Sequence, residues 1–215
     1  MKLYWIKTHW IIKKLFSEFI WDKTNTKNTV YLTFDDGPIP EVTLWVLEKL
    51  KEYNAKATFF CIGDNIDKNP AVFKKIEDDS HGIGNHTYNH LNGWKTKNKT
   101  YLDNIKKCEE KLQHSLKKKK KLQSKLFRPP YGKLKIAQSR AIRQLGYKII
   151  MWDILSADFD PSISKEKCLE NVLTNIKSGS IIVFHDSVKA SNNLEYALPK
   201  TLEYLKQNNF TCGIL

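Results

Sequence analysis

Short runs rich in β-branched and aromatic residues alternate with longer amphipathic runs along most of this chain of 215 residues. The runs typical of strands cover residues 29–34, 56–62, 82–85, 125–128, 147–153, 180–185 and 210–215. The runs typical of helices cover residues 40–53, 69–77, 100–123, 134–145, 164–177 and 195–207. Strands that alternate with helices usually pair in parallel, with the helices packed on the sheet. The sequence therefore predicts an α/β fold of about seven strands, in a sheet that is either open or closed as a barrel.

The domain organisation follows from length and hydrophobicity. With 41% hydrophobic residues, the chain is long enough to bury the core of one α/β domain, which we place at residues 28–215. Residues 1–27 are predicted to form an amphipathic extension. Lys7, Lys13, Lys14 and Glu18 interrupt its apolar run, which is then too short for a signal-peptide core or a spanning helix. We expect the extension to dock onto the domain, with membrane-surface contact as the alternative, and the protein to be cytoplasmic or peripheral to the inner face of the membrane.

The formal net charge of +13 raises the question of a nucleic-acid partner. Only three of the 36 basic residues are arginines, whereas nucleic-acid readers rely on arginine for base edges and phosphates. We interpret the charge as a solvated lysine surface that includes the lysine run at residues 117–121, and we expect no nucleic-acid partner. The four cysteines are far apart and form no Cys-x-x-Cys pair, so ordinary thiols are expected.

Polar side chains follow the predicted strands at the points where those strands end. They are Asp35, Asp36, His86, His90, Arg128, Asp153, Asp158, His185 and Asp186. The carboxyl ends of parallel strands converge on one rim, where ligands bind in α/β folds. The sequence therefore predicts one site at this rim.

Asp35 and Asp36 stand side by side at the end of the first predicted strand. Neighbouring residues at a strand end point to opposite faces, which favours two different roles for the two carboxylates. An Asp-Asp turn before Gly37 and Pro38 would be the plain alternative. Such a turn does not explain the other polar residues of the rim.

His86 and His90 are four residues apart, a spacing that would place both imidazoles on one face of a helical turn. The spacing alone is weak evidence, because histidine pairs of this kind also arise by chance. Together with Asp36 they form a two-histidine, one-aspartate set that leaves a position open for water. The set predicts a divalent metal site for Zn²⁺, while Co²⁺ or Mn²⁺ would accept the same ligands.

Five motifs occur in the order and spacing of a known family. They are TFDDGP (33–38), HTYNH (86–90), RPPYG (128–132), WDILSADFD (152–160) and IIVFHDS (181–187). In these motifs the chain resembles the polysaccharide deacetylases that share the NodB homology domain, carbohydrate esterase family 4, over about residues 29–214. The resemblance implies a distorted (β/α) barrel of about seven parallel strands surrounded by helices. It also implies a metal-dependent hydrolase that removes acetyl groups from N-acetylated glycans such as chitin oligomers or peptidoglycan.

The resemblance carries residue roles as well. Asp36, His86 and His90 resemble the metal ligands of the family, and Asp35 resembles the general base that activates the attacking water. Arg128 resembles the arginine that orients this base and keeps it ionised, a use suited to its fixed fork and permanent charge.

Other roles concern the leaving group and the substrate. His185 resembles the general acid that protonates the departing nitrogen, and Asp158 the carboxylate that holds its imidazole. Tyr131 matches the residue whose backbone N–H helps to hold the oxyanion. Phe159 and Val183 stand where the family often has tryptophan and leucine, and both keep an apolar wall for a methyl group. A narrow apolar slot discriminates by about 1–3 kcal/mol per methylene, so acetate should be preferred to longer acyl groups.

Two other functions stay open on the sequence. The first is another metal hydrolase on the same scaffold, either an O-acetyl esterase or a small-molecule amidase, because activated water does not define the leaving group. The second is a non-catalytic binder of an anionic glycan or nucleic acid that uses the lysine run at residues 117–121. The sequence leaves the natural glycan and the oligomeric state undetermined.

Overall fold

The computed structural model describes residues 4–24, 27–115 and 124–215, so the lysine run at residues 117–121 lies outside the described residues. Within the described part of the chain, strands and helices alternate largely as predicted. The strands are β1 (Thr29–Asp35), β2 (Ala57–Cys61), β3 (Gly82–Asn85), β4 (Leu126–Phe127), β5 (Lys148–Ile149), β6 (Ile154–Leu155), β7 (Ile181–His185) and β8 (Thr211–Cys212). The helices are α1 (Trp10–Leu15), α2 (Pro40–Glu52), α3 (Gly63–Lys68), α4 (Pro70–Asp78), α5 (Asn98–Ser115), α6 (Ile136–Gln144), α7 (Lys165–Leu173) and α8 (Ser191–Gln207).

The strands form one curled sheet in the order β5-β4-β3-β2-β1-β7-β6, and β8 pairs with the start of β1. Each pairing between these strands is parallel. The predicted barrel-like α/β fold is therefore confirmed. β1 lies at the centre, and its register with β7 places Asp35 opposite His185. Two polar residues that are 150 positions apart in the sequence thus end neighbouring strands at the same rim.

The core forms where the helices cover the central strands. α2 begins at Pro40, where the fixed φ of proline suits the first helical position, and it buries Val46 and Leu50 on one face. On the strands, the ring of Phe34 stacks on the ring of Phe59 with 5.1 Å between centroids. Strands buried on both faces are expected to be almost continuously apolar, and β1 fits this pattern, because every residue after Thr29 is buried.

The predicted strand at residues 147–153 is wrong beyond its first residues. Only β5 lies within this range, and β6 begins directly after it, at Ile154, on the opposite edge of the sheet. Asp153 directly precedes β6 and therefore lies at the amino end of that strand, away from the rim where we had placed it. There its buried carboxylate forms ion pairs with Lys7 and Lys13 and accepts a hydrogen bond from Ser180. Because the run at residues 147–153 is largely apolar, its pattern did not show that the chain passes from one edge of the sheet to the other.

Residues 4–24 of the extension lie against both edges of the sheet. Lys7 pairs in antiparallel fashion with Ile154 of β6, and Ile20 pairs with Ile150, which follows β5. The amide of Met151 donates to the carbonyl of Ile20 at 2.7 Å. The six-residue helix α1 lies between these two contacts and buries none of its residues. The extension thus docks through backbone pairing at both edges and through side chains such as Phe19 and Trp21, which pack against the core. Its treatment as a unit separate from residues 28–215 stays a prediction.

Candidate metal centre and catalytic cavity

The loop after β1 places two carboxylates at the rim. Asp36 adopts a positive φ of 86°, which turns the chain directly after the strand. The next amide, that of Gly37, donates to Oδ1 of the buried Asp186 at 2.9 Å, and the hydroxyl of Thr43 donates to the other oxygen at 2.6 Å. A Cβ atom at position 37 would lie 1.9 Å from Asp186 Oδ2, so only glycine fits. Asp186 thus holds the loop that presents Asp36.

Asp36, His86 and His90 form the metal-ligand cluster that the sequence predicts. Oδ1 of Asp36 lies 3.2 Å from Nε2 of His90 and 3.7 Å from Nε2 of His86. One ligand atom from each residue lies within 4.8 Å of the others. Asp36 Oδ1 is buried, and among the described residues it has no hydrogen-bond partner. A buried acceptor without a partner is costly, and two imidazoles beside it complete a donor set that fits a divalent metal.

The orientation of His86 suits a ligand. Its Nδ1 donates to the carbonyl oxygen of Arg128 at 2.8 Å, so its Nε2 carries the lone pair that faces Asp36. Burial lowers the pKa of His86 to about 4. The imidazole is therefore neutral at neutral pH, which is the form that binds a metal.

The predicted helical turn at residues 86–90 is wrong, although the two histidines do meet. The segment is an irregular loop after β3, with positive φ values of 64° at Thr87 and 54° at His90. The side-chain oxygen of Asn104, on α5, accepts hydrogen bonds from the backbone amides of Tyr88 and Asn89. Two left-handed residues, rather than helical periodicity, bring the histidine rings to 5.1 Å from each other.

A buried ion pair lies behind the cluster. Nη1 of Arg128 donates to Oδ1 of Asp35 at 2.7 Å and to the hydroxyl of Thr33 at 2.7 Å. Nη2 donates to the carbonyl of Met151 at 2.9 Å, and the guanidinium lies 4.2 Å from the centroid of the Phe60 ring. The second oxygen of Asp35 lies 4.0 Å from Nε2 of His86. The arginine therefore fixes one oxygen of Asp35 and leaves the other toward the cluster.

A second ion pair lies across the cavity, between the buried Asp158 and the partly exposed His185. Nδ1 of His185 donates to Oδ1 of Asp158 at 2.7 Å, and the backbone amide of His185 donates to the other oxygen at 2.7 Å. Burial alone would lower the pKa of His185. The charge and hydrogen bond of Asp158 outweigh this effect and raise the pKa to about 9. His185 is therefore protonated at neutral pH.

One cavity of about 370 Å³ opens between these groups. Its polar lining is Asp35, Asp36, His86, His90, His185, Ser187 and Lys189, and its apolar lining includes Tyr4, Pro129, Tyr131, Trp152, Leu155, Phe159 and Val183. Tyr131 has a positive φ of 61° and an exposed side chain, and its ring lies 4.6 Å from the ring of His90. The ring of Phe159 lies edge-on to His185 at 5.0 Å.

The structure thus brings most of the predicted site residues to one cavity. Arg128 and Asp158 lie behind it and act on it through Asp35 and His185. Asp153 lies elsewhere, as described above. Sequence reasoning placed Asp186 at the rim without a use, and the buried amide contact to Gly37 now supplies one. It missed Tyr4 altogether, because the pairing of Lys7 with β6, about 150 positions away, is what brings Tyr4 to the cavity.

Comparison with known proteins places these features in context. A family model described as polysaccharide deacetylase matches residues 22–150, which include β1 and the three clustered side chains. The chain is 34% identical over 199 residues to a peptidoglycan-N-acetylglucosamine deacetylase of Bacillus cereus, with 88% of this chain and 87% of that protein covered. It is 33% identical over 164 residues to a chitooligosaccharide deacetylase of Azorhizobium caulinodans, with 76% of each covered. The crystal structure of the Bc1960 peptidoglycan N-acetylglucosamine deacetylase in complex with 4-naphthalen-1-yl-N-oxidanyl-benzamide superposes with a TM-score of 0.84 at 34% identity, covering 92% of this chain and 91% of that chain.

Proposed function

The chain belongs to the polysaccharide deacetylase family, and from this premise we propose that it hydrolyses the N-acetyl groups of N-acetylglucosamine-containing glycans of the chitin-oligomer or peptidoglycan type. The observation that carries the proposal is the meeting of three groups at one cavity. These are a two-histidine, one-aspartate cluster, an aspartate bound to a buried arginine, and a histidine charged by a buried aspartate. Together they suit a metal-dependent amide hydrolase, in which amide cleavage uses an activated water, a proton acceptor and a proton donor for the amine.

Asp36, His86 and His90 would hold the divalent metal on which deacetylases of this family depend. We assign Zn²⁺ to the site, with Co²⁺ or Mn²⁺ as alternatives that the same donors accept. A divalent metal, when bound, polarises the acetyl carbonyl and lowers the pKa of water. The other chemical tasks are assigned to residues of the chain itself.

Asp35 is the proposed general base. Its contact with Arg128 fixes one oxygen of the carboxylate, while the other oxygen faces the cluster. In the first step a bond forms between the water oxygen and the acetyl carbon, and the water proton passes to Asp35. The backbone N–H of Tyr131 is assigned to the oxygen of the carbonyl, where negative charge develops.

His185 is the proposed general acid. It lines the cavity and carries a proton at neutral pH, because Asp158 raises its pKa to about 9. In the second step the carbon–nitrogen bond breaks as His185 gives a proton to the nitrogen, and the products are acetate and a free amine. Phe159 and Val183 are assigned to the methyl group, because both line the apolar part of the cavity.

The protonation of His185 also helps to distinguish the two candidate reactions, hydrolysis of an N-acetyl amide and hydrolysis of an O-acetyl ester. An amine must be protonated to leave, whereas an alcohol needs this far less, so a histidine kept charged favours an amide over an O-acetyl ester. The named relatives, which are described as deacetylases of peptidoglycan N-acetylglucosamine and of chitooligosaccharides, point the same way.

Within residues 4–24, 27–115 and 124–215, no helix is long and apolar enough to cross a membrane. A location in the cytoplasm or at the inner face of the membrane stays a prediction, as does the absence of a nucleic-acid partner.

The direct test is acetate release from N-acetylglucosamine oligomers by metal-stripped protein, with and without added Zn²⁺ or Co²⁺. Metal-dependent release that His185→Ala removes would support the proposal. If the protein rebinds one metal per chain and cleaves O-acetyl esters but not these amides, the esterase alternative replaces the deacetylase.

A further inference from the structure

The extension reaches the rim of the barrel by running along the edge of β6. Lys7 and Ile154 form an antiparallel pair, and the amide of Leu155 donates to the carbonyl of Ile6 at 2.8 Å. In an antiparallel pair, moving backward from Lys7 means moving forward along β6, toward the rim. Tyr4 precedes Lys7 by three residues, and Tyr4 lines the cavity at this rim. Tyr4 is therefore carried from the edge strand to the carboxyl end of the sheet.

At the rim, Tyr4 becomes part of the cavity wall. Its ring meets the ring of Phe159 edge-on, with 5.4 Å between centroids. Its hydroxyl donates to the carboxylate of Asp160. Tyr4 lines the same cavity as the metal-ligand cluster and His185. Phe159 also lies edge-on to His185, so the rings of Tyr4, Phe159 and His185 pack in a row.

Polar contacts with buried partners fix the segment that delivers Tyr4. Nζ of Lys7 donates to Oδ2 of Asp153 at 2.6 Å and to the carbonyl of Asn175 at 2.9 Å. The amide of Thr8 donates to the backbone carbonyl of Asp153 at 2.9 Å. The side chain of Asp153 is fully buried. An ionic anchor at Lys7 and a hydrogen bond at Tyr4 hold both ends of the short stretch between them.

We propose that Tyr4 is a specificity-determining residue that backs Phe159 and closes the acyl side of the cavity, so that an acetyl group fits and longer acyl groups are excluded. The inference rests on the proposed function for the identity of the reaction. Its physical basis is packing: with the Tyr4 ring in place, Phe159 is held between Tyr4 and His185. Without that ring, Phe159 gains room to move away from His185, and the cavity lengthens.

The first test compares substrates. The wild type, Tyr4→Ala and Tyr4→Phe are assayed on glucosamine oligomers that carry N-acetyl, N-propionyl or N-butyryl groups, and kcat/KM is measured for each. We expect Tyr4→Ala to raise the propionyl-to-acetyl ratio roughly tenfold or more, in line with the discrimination that an apolar pocket exerts per methylene. Tyr4→Phe keeps the ring and loses only the hydrogen bond to Asp160, so its ratio should stay within about twofold of the wild type.

Trp5→Ala is the matched control, because Trp5 is the neighbouring aromatic residue, is 63% exposed and does not line the cavity. Its ratio should equal that of the wild type. An unchanged ratio in Tyr4→Ala, or an equal rise in Trp5→Ala, would overturn the inference. Thermal unfolding of each variant establishes that the folded proteins are being compared.

A binding experiment separates this inference from the proposed function. Aceto-, propiono- and butyrohydroxamate are titrated into each metal-loaded protein by calorimetry. These probes share the N-oxidanyl amide group of the compound bound to the Bc1960 enzyme. We expect affinity to fall with chain length in the wild type and to fall less in Tyr4→Ala. That pattern without any turnover would refute the proposed function and leave the inference standing. Equal profiles in both proteins, or no binding to the wild type, would overturn the inference.

Discussion

Nη1 of Arg128 lies 2.7 Å from Oδ1 of Asp35, and both side chains are almost wholly removed from solvent. Each charge of this buried pair stabilises the other, because either one alone would be a charge removed from water without a counter-charge. The pair also joins the fold to the chemistry, since the free oxygen of Asp35 faces the metal-ligand cluster.

Arg128→Met should therefore destabilise the protein by about 3–5 kcal/mol, as expected for a buried ion pair that loses one partner. The same replacement in an Asp35→Asn background should cost clearly less, because no buried charge is left unpaired. Urea unfolding of the four proteins in this double-mutant cycle measures the difference. Additive losses would show that the two side chains do not depend on each other for stability.

Replacement of Asp36 should affect metal binding, whereas replacement of Asp35 should affect turnover alone. Asp36→Ala should lose the metal, because Asp36 supplies the only carboxylate of the cluster found in the described part of the chain. Asp35→Asn should keep about one metal per chain and lose turnover, because an amide cannot accept the water proton. Metal content after gel filtration and acetate release are measured on the same samples. Equal metal loss in both variants would contradict the assigned roles.

His185 should titrate near pH 9 in the metal-free protein, because Asp158 raises its pKa to about that value. This pKa lies above the ordinary histidine value of about 6.5. The stability it contributes is therefore complete below about pH 6.5 and is lost as the pH rises through about 9. Asp158→Asn should bring the midpoint back toward the ordinary value. Histidine NMR follows the titration, and unfolding at pH 6 and pH 10 should show a larger cost of Asp158→Asn at pH 6.

Gly37→Ala should be destabilising and should weaken metal binding. A Cβ at this position would collide with the carboxylate of Asp186, and overpacking of this kind costs about 1–3 kcal/mol. The loop that carries Asp36 would have to move in response. In an Asp186→Ala background the added methyl group has room, so the extra cost of Gly37→Ala should shrink. Denaturant unfolding and metal titration check both effects, and an undiminished cost would place the clash elsewhere.

The alternation of strands and helices was predictable because apolar periodicity and residue type are local properties. The meeting of polar residues at one rim followed from parallel pairing alone, and Asp35 beside His185 is its clearest instance. The split at residues 147–153 was not predictable in this way. An apolar run has the same residue pattern whether it forms one strand or passes from one edge of the sheet to the other.

The site also contained features that local patterns do not encode. The histidines at 86 and 90 meet through positive φ values at Thr87 and His90, which a count of four residues interprets as a helical turn. Tyr4 is brought to the cavity by the antiparallel pairing of Lys7 with Ile154 of β6, a contact set by tertiary structure. Asp153 looked like a rim residue because it ends an apolar run, yet it anchors Lys7 at the other end of the sheet.

The docking of the extension on β6 also bears on the order in which the molecule assembles. Lys7 and Asp153 are separated by 146 positions, so residues 4–8 have no partner at β6 until those 146 positions have been synthesised. Contacts between such distant residues slow folding, because a long loop must close before they form. Residues 4–8 can thus take up their place only after β6 has been synthesised. A nascent protein would acquire its complete cavity only after residues as far apart as Tyr4 and Lys189, which both line it, have been synthesised.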